Sequence, residues 1–198
     1  MSRVTFSRET PDVRRAALIA AAADCIAELG PAGTSVRTIC ARAGVSPGLL
    51  RHYFSGVDAL IAAAYRATCD QLEVTLDAAI AAAGSNPRDQ LIAYLTASLR
   101  PPVTDSRVLA TWTAFWSLIK TEPAMARIHD ESYAAFRHRL EALLAQCGLA
   151  ERETRSAAIG LTALVDGLWL ELSLDPTTFG TDEAVRIATR WLDALLPP

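Results

Sequence analysis

The stretch Thr34-Ser35-Val36-Arg37-Thr38-Ile39-Cys40-Ala41-Arg42-Ala43-Gly44-Val45-Ser46-Pro47-Gly48-Leu49-Leu50-Arg51-His52-Tyr53-Phe54 decides the fold. It reads as two short helices joined by Ala43-Gly44-Val45-Ser46. The first starts at about Ser35, repeats apolar residues at Val36, Ile39, Cys40 and Ala43, and stops at Gly44. Glycine permits the left-handed backbone of a tight turn, and Val45 is placed to plug the angle between the helices. Ser46-Pro47 then caps and starts a helix of about two turns, with Leu50 and Phe54 facing inward. Ser46, Pro47, Gly48, Arg51 and His52 are left on the outer side. Small residues at a helix N-terminus let the backbone approach a partner closely, and the free N–H groups and positive dipole end there suit phosphate. A short helix held this way enters a major groove with such side chains toward the base edges.

Outward from this stretch the pattern stays helical. Thr10-Pro11 is a cap followed by a first-turn proline, and Gly30-Pro31 ends the helix that follows, with Leu18, Ala22, Cys25, Ile26 and Leu29 expected on its inner face. After Ser55-Gly56 a long helix runs to about Ala83, burying Leu60, Ile61, Ala64, Leu72, Leu76 and Ile80, and Gly84-Ser85-Asn86-Pro87 closes it. Further helices are expected over 88–99, 105–120, 123–147, 151–174 and 182–195, with breaks at Pro101-Pro102, Glu122-Pro123, Gly148 and Asp175-Pro176. The expected fold is all-α: a three-helix helix–turn–helix domain over residues 1–56, then a larger helical bundle over 57–198 that the long helix connects to it.

Composition narrows the function. The 198 residues are 51% apolar and 21% charged, within the range of a globular chain with a packed core. The net charge of −3 argues at first against a nucleic-acid partner. The charge is unevenly spread, however. Residues 1–66 hold eight arginines against five acids, a balance of +3, and residues 67–198 carry −6. The N-terminal Met1-Ser2-Arg3-Val4-Thr5-Phe6-Ser7-Arg8 lacks the apolar core of a signal peptide, and the alanine-rich run Ala16–Ala23 stops at Asp24. Cys25, Cys40, Cys69 and Cys147 are irregularly spaced, with no zinc pattern or disulfide framework, and are expected to be small reduced core residues. His129 and His138 lack metal-ligand spacing, and no catalytic triad order, phosphate loop or HExxH occurs. These features lead us to expect a cytoplasmic protein with no cofactor, metal or membrane partner.

Thr34, Ile39, Ala43-Gly44-Val45-Ser46, Gly48, His52-Tyr53-Phe54 and Leu60, in that order and spacing, resemble the TetR family of one-component bacterial regulators. The resemblance implies a homodimer with three-helix DNA-binding heads on divergent helical effector domains, most often a repressor. By position, it implies that Arg37 contacts phosphate at the start of the second helix. It also implies that Ser46, Pro47, Gly48, Leu49 and Arg51 face the groove of a double-stranded operator, and that His52 and Tyr53 contact phosphate. Two positions depart from the family. Val57 stands where a lysine is usual, which removes a phosphate contact. Arg51 stands where many relatives have tyrosine, and its guanidinium is suited to read guanine bidentately.

The acidic second part holds all four tryptophans. Trp112, Phe115 and Trp116 are spaced i, i+3 and i+4 and so share one helix face. Tyr133 lies on an intervening helix, and Asp166-Gly167-Leu168-Trp169-Leu170-Glu171 sets a tryptophan among acids in an apolar helix. Aromatic faces beside carboxylates attract protonated or quaternary amines, so Trp112, Phe115, Trp116, Tyr133, Asp166 and Trp169 are the candidate effector residues. Equally, these tryptophans are ordinary core or interface side chains by pattern alone. Trp112-x-x-Phe115-Trp116, Pro123, Tyr133 and Gly160-Leu161-Thr162-Ala163-Leu164-Val165-Asp166-Gly167-Leu168-Trp169-Leu170 resemble the BetI-type, choline-sensing repressors of the same family, which implies a small cationic effector. In the family the last two helices build the dimer's four-helix bundle, and Leu161, Leu164, Val165 and Leu168 suit that use. Trp191, with Ile187 and Leu195, reads as packing or interface. An all-helical enzyme and a helical module that does not bind DNA stay open at this level.

Overall fold

The computed structural model describes residues 10–175 and 177–196. The N-terminal octapeptide and Pro176 read above lie outside them. Nine helices are described: α1 (Pro11–Gly33), α2 (Val36–Ala43), α3 (Pro47–Tyr53), α4 (Val57–Ala82), α5 (Pro87–Ala97), α6 (Ser106–Leu118), α7 (Pro123–Gln146), α8 (Glu151–Leu174) and α9 (Thr181–Leu195). Each of α2 to α9 agrees with its expected span to within a residue or two, because caps and breakers act locally, whereas α1, expected to end at Gly30-Pro31, kinks there and continues to Gly33. The Thr10 hydroxyl accepts from the Val13 N–H at 3.4 Å, and Asn86 accepts from the N–H groups of Arg88 and Asp89.

One expected core residue is misplaced. Leu29 is 48% exposed, because Gly30 leaves helical geometry (φ 66°, ψ 177°) and Pro31 restarts the helix, which turns the last turn away from the core. The remaining inner positions of α1, from Leu18 to Ile26, are buried. Cys25, Cys40 and Cys69 are buried and Cys147 half-buried, all four as free thiols.

The first three helices form a head, and α1 also packs on α4 and α6. In the body α4 packs on α5 and α7, α8 packs on α6, α7 and α9, and α5 also meets α9. Helices α1 and α8 have the length and apolar composition of membrane spans. Here the buried stripes of both are part of one continuous hydrophobic core.

On α8 the inner stripe is Ala158, Leu161, Thr162, Val165, Leu168, Trp169 and Leu172, all buried within the chain. This corrects the expectation that Val165 and Leu168 face a second subunit; Leu161, although buried, also borders the depression beside α9. The outer stripe of α8 is instead Gly160, Ala163, Leu164 and Gly167, and Gly160, Ala163 and Leu164 line an apolar depression together with Trp191 and Leu195 of α9. Trp191 is 59% and Leu174 69% exposed.

Candidate functional site

In the head, the geometry of the turn follows from three side chains. Ser35 and Thr38 form a capping box at the start of α2. Gly44 takes the left-handed conformation (φ 65°, ψ 33°) that closes α2 and redirects the chain. The Ser46 hydroxyl accepts from the Leu49 N–H at 3.3 Å, starting α3. Leu50 is fully buried and Phe54 nearly so, with the Arg15 guanidinium 5.2 Å from the Phe54 ring centre. These anchors leave Ser46, Pro47, Gly48, Arg51 and His52 exposed, with Leu49 and Tyr53 half-buried, and His52 packs edge-on against Tyr53 at 5.1 Å. Arg37 is exposed on the first turn of α2, and Val57 opens α4. The exposed face therefore carries donors, small residues and cations, with no acid on α2 or α3.

Sequence reasoning gave no sign of how the head is fastened. Asp24 and Glu28 on α1 pair with Arg42 of α2 and also with Arg107 at the start of α6. The Arg42 hydrogen bond holds the Glu28 carboxyl below its usual range. Two arginines from different elements thus share one acidic pair, a contact between residues too far apart in sequence for any local pattern to show.

The body contains a cavity of about 600 Å³. Five of the six expected effector residues line it: Trp112, Trp116, Tyr133, Asp166 and Trp169. Phe115 does not. Its ring is fully buried behind the wall, 4.9 Å from Tyr65, because position i+3 of α6 faces α4 while the two indoles face the cavity. The three indoles form a triangle, with centres 5.8 Å (Trp112–Trp169), 6.3 Å (Trp112–Trp116) and 6.3 Å (Trp116–Trp169) apart. The Trp169 indole N–H donates to the Ser98 carbonyl at 2.6 Å, which fixes its ring. The Trp116 indole N–H is buried and has no acceptor among the described residues.

Asp166 is the cavity's half-buried acid. The Tyr133 hydroxyl donates to its Oδ1 at 3.0 Å, yet burial dominates and pushes its pKa up to about 6. Burial, and then Asp166, push the Tyr133 hydroxyl well above its ordinary range. His129, stacked on Tyr133 at 4.0 Å, meets the Tyr65 hydroxyl at 3.3 Å, and burial lowers its pKa, so it is a neutral, satisfied histidine near neutral pH. Asp70 and Glu73 also line the cavity, and neither is in an ion pair among the described residues. The two arginines of the lining are paired: Arg66 with Glu131, and Arg139 with Asp77 at 3.0 Å. The balance at this site is therefore acidic.

Tyr94 and Phe136, stacked at 5.1 Å, are cavity residues that sequence reasoning missed. Phe136 had a signal, one helical turn beyond Tyr133. Tyr94 had none. No group of His, Cys, Asp and Glu among the described residues has the arrangement of a metal site.

Residues 18–64 match the family described as bacterial regulatory proteins, tetR family, and residues 87–197 match the BetI-type transcriptional repressor C-terminal family. The chain belongs to the TetR family, with a BetI-type C-terminal half. Its relatives include the HTH-type transcriptional regulator BetI of Burkholderia thailandensis, 35% identical over 94% of this chain and 95% of that one. The BetI of Paraburkholderia phytofirmans is 33% identical over 93% of this chain and 94% of its own. A transcriptional regulator from Pseudomonas aeruginosa PAO1 superposes with a TM-score of 0.88 at 41% identity, over 98% of this chain and 96% of that one. A Saccharomonospora viridis regulator solved with choline has the same fold, with a TM-score of 0.80 over 93% and 98% of the two chains, at 16% identity. This BetI-type chain is thus a transcriptional regulator, and its families and relatives are regulators rather than enzymes, which closes the enzyme alternative.

Proposed function

We propose that this BetI-type regulator is a repressor that binds a palindromic operator as a homodimer and is released by a small cationic amine. For DNA, the supporting observation is the outer face of α3, where Ser46, Pro47, Gly48 and Arg51 stand exposed on a helix held by buried Leu50 and Phe54. Arg51 reads a base, Arg37, His52 and Tyr53 hold phosphate, and Leu49 packs at the edge of the groove. Two heads so used address half-sites about one helical turn, ~34–36 Å, apart. For the dimer, the outer stripe of α8 with Trp191 and Leu195 provides an apolar, self-complementary surface. A protein acting on such an operator works in the cytoplasm.

For the effector, the indole triangle with Asp166 supports a cation. Ring faces and a half-buried carboxylate attract the same charge, and a bound ammonium would favour the ionised form of Asp166. A hydroxyl or carbonyl oxygen on the ligand would also satisfy the Trp116 N–H. Helices α4 and α6 both carry cavity residues and both pack on α1, and Arg107 ties α6 to Asp24 and Glu28. A ligand that shifts either helix repositions the heads, provided that it binds the released form more tightly than the DNA-bound form.

The test is a gel shift with the DNA flanking the protein's own gene, at two salt concentrations, with choline, betaine aldehyde and a panel of amines added. Retention that falls with salt, and release by an amine, are expected. Failure to retain that DNA at low salt overturns the operator reading, and failure of every amine to release it overturns the effector reading.

A further inference from the structure

The cavity is larger than a choline-sized ligand needs. At ~30 Å³ for each water-sized unit, about 600 Å³ holds on the order of 20 non-hydrogen atoms, roughly three times what choline has. The cavity is also long. Helices α4 and α7 run side by side in the same direction, joined by Tyr65–His129, Arg66–Glu131 and Asp77–Arg139. Between the two ion pairs α4 advances eleven residues, or roughly 16 Å at the helical rise. The cavity opens along this span, with lining residues from Cys69 to Asp77 on α4.

Its two ends differ in chemistry. The end near Tyr65 has the indoles of Trp112, Trp116 and Trp169 and the half-buried carboxylate of Asp166. The other end has Leu72, Leu76 and the stacked Tyr94–Phe136 pair, with Leu76 and Tyr94 buried. The charges at that end, Glu73, Asp77 and Arg139, are exposed at the rim, and two of them are paired with each other. The buried wall there is apolar, and the acids lie outside it at the rim.

We propose that the effector is an amphipathic ammonium: a cationic head against the indoles and Asp166, and an apolar tail that runs along α4 and α7 to the Tyr94–Phe136 pair. This rests on the cation-released reading above and names the class of amine. Choline fills only the head site, and the tail supplies the remaining affinity. Each buried methylene contributes about 0.8 kcal/mol, which is about fourfold in affinity.

The experiment is calorimetric titration of the full-length protein with tetramethylammonium, choline, and hexyl- and decyltrimethylammonium. Affinity is expected to rise three- to fourfold per methylene beyond choline and to flatten once the cavity is full. The substitution Leu72→Trp, at a half-buried position on the tail path, is expected to cut the ratio of decyl to tetramethyl affinity at least tenfold, and its circular dichroism checks that the protein is folded. Equal affinity across the series, an unchanged ratio in folded Leu72→Trp, or tighter binding of a decane-linked bis-ammonium than of decyltrimethylammonium overturns the tail while leaving the cation reading in place. If no ammonium of any length binds, both fall.

Discussion

Replacing Asp166 with asparagine separates the cost of the half-buried carboxylate from its use. In the free protein burial raises this group from 3.8 to about 6, against the Tyr133 hydrogen bond and the field of Arg137, both of which pull it down. The folded state therefore holds a proton that the unfolded state has lost between those two values, so stability falls as pH rises through the window and stays low above it. At about 1.36 kcal/mol per pH unit, a rise of that size amounts to about 3 kcal/mol near pH 8. The amide that replaces the carboxylate keeps an oxygen to accept from Tyr133 and carries no charge. The Asp166→Asn protein is then expected to be more stable than wild type at pH 8 by about 2–3 kcal/mol, a rise of roughly 5–10 °C in melting temperature for a chain of this size. Near pH 4 the two proteins are expected to melt alike. The same substitution is expected to weaken binding of a quaternary ammonium by at least about tenfold, because a coulombic attraction worth roughly 3 kcal/mol at about 5 Å and an effective dielectric constant of about 20 is lost. In wild type that affinity declines about tenfold per pH unit below pH 6, as the carboxyl must first give up its proton. Thermal melts with and without ligand at three pH values measure all of these. A variant that is less stable at pH 8, or that binds the cation as well as wild type does, refutes the reasoning.

Arg51→Ala is expected to cost about 1–3 kcal/mol on the operator and to relax selectivity at one base pair, read by anisotropy on operator variants; equal weakening on every sequence makes Arg51 a phosphate contact instead. Gly44→Ala forces a Cβ into the left-handed region and is expected to destabilise the head by about 1–2 kcal/mol, with an earlier urea midpoint and weaker DNA binding but normal ligand affinity. Leu164→Glu together with Trp191→Glu places charge on the outer faces of α8 and α9 and is expected to halve the mass in light scattering while leaving the helical circular dichroism intact. Arg107→Ala frees one side of the Asp24–Glu28 pair, and is expected to leave ligand binding unchanged and to reduce the ligand's effect on DNA release.

Most of the architecture was legible in the chain, because helix limits are set by neighbouring residues: Thr10-Pro11, Ser35, Gly44, Ser46-Pro47 and Asn86-Pro87 act within a turn of themselves. The head was legible for the same reason. Its turn, buried anchors and outer face lie within 21 consecutive residues, from Thr34 to Phe54. Five of the six candidate positions do line the cavity, since aromatics near acids in an apolar helix are conspicuous. Tertiary structure decided what periodicity leaves degenerate. Trp112, Phe115 and Trp116 share one stripe, yet that stripe is wide enough to meet both α4 and a cavity, and only packing sends Phe115 to the first and the indoles to the second. Helix α8 is apolar on two sides, and only the positions of α6 and α7 determine that Val165 and Leu168 are core while Leu164 lines the depression beside α9. The sharing of Asp24 and Glu28 by Arg42 and Arg107, and the Tyr94–Phe136 pair at the far end of the cavity, join residues on different helices, beyond the reach of any local spacing. Local spacing specifies a helix and its faces, but which face meets which neighbour is settled by burying the most apolar surface across the whole chain at once.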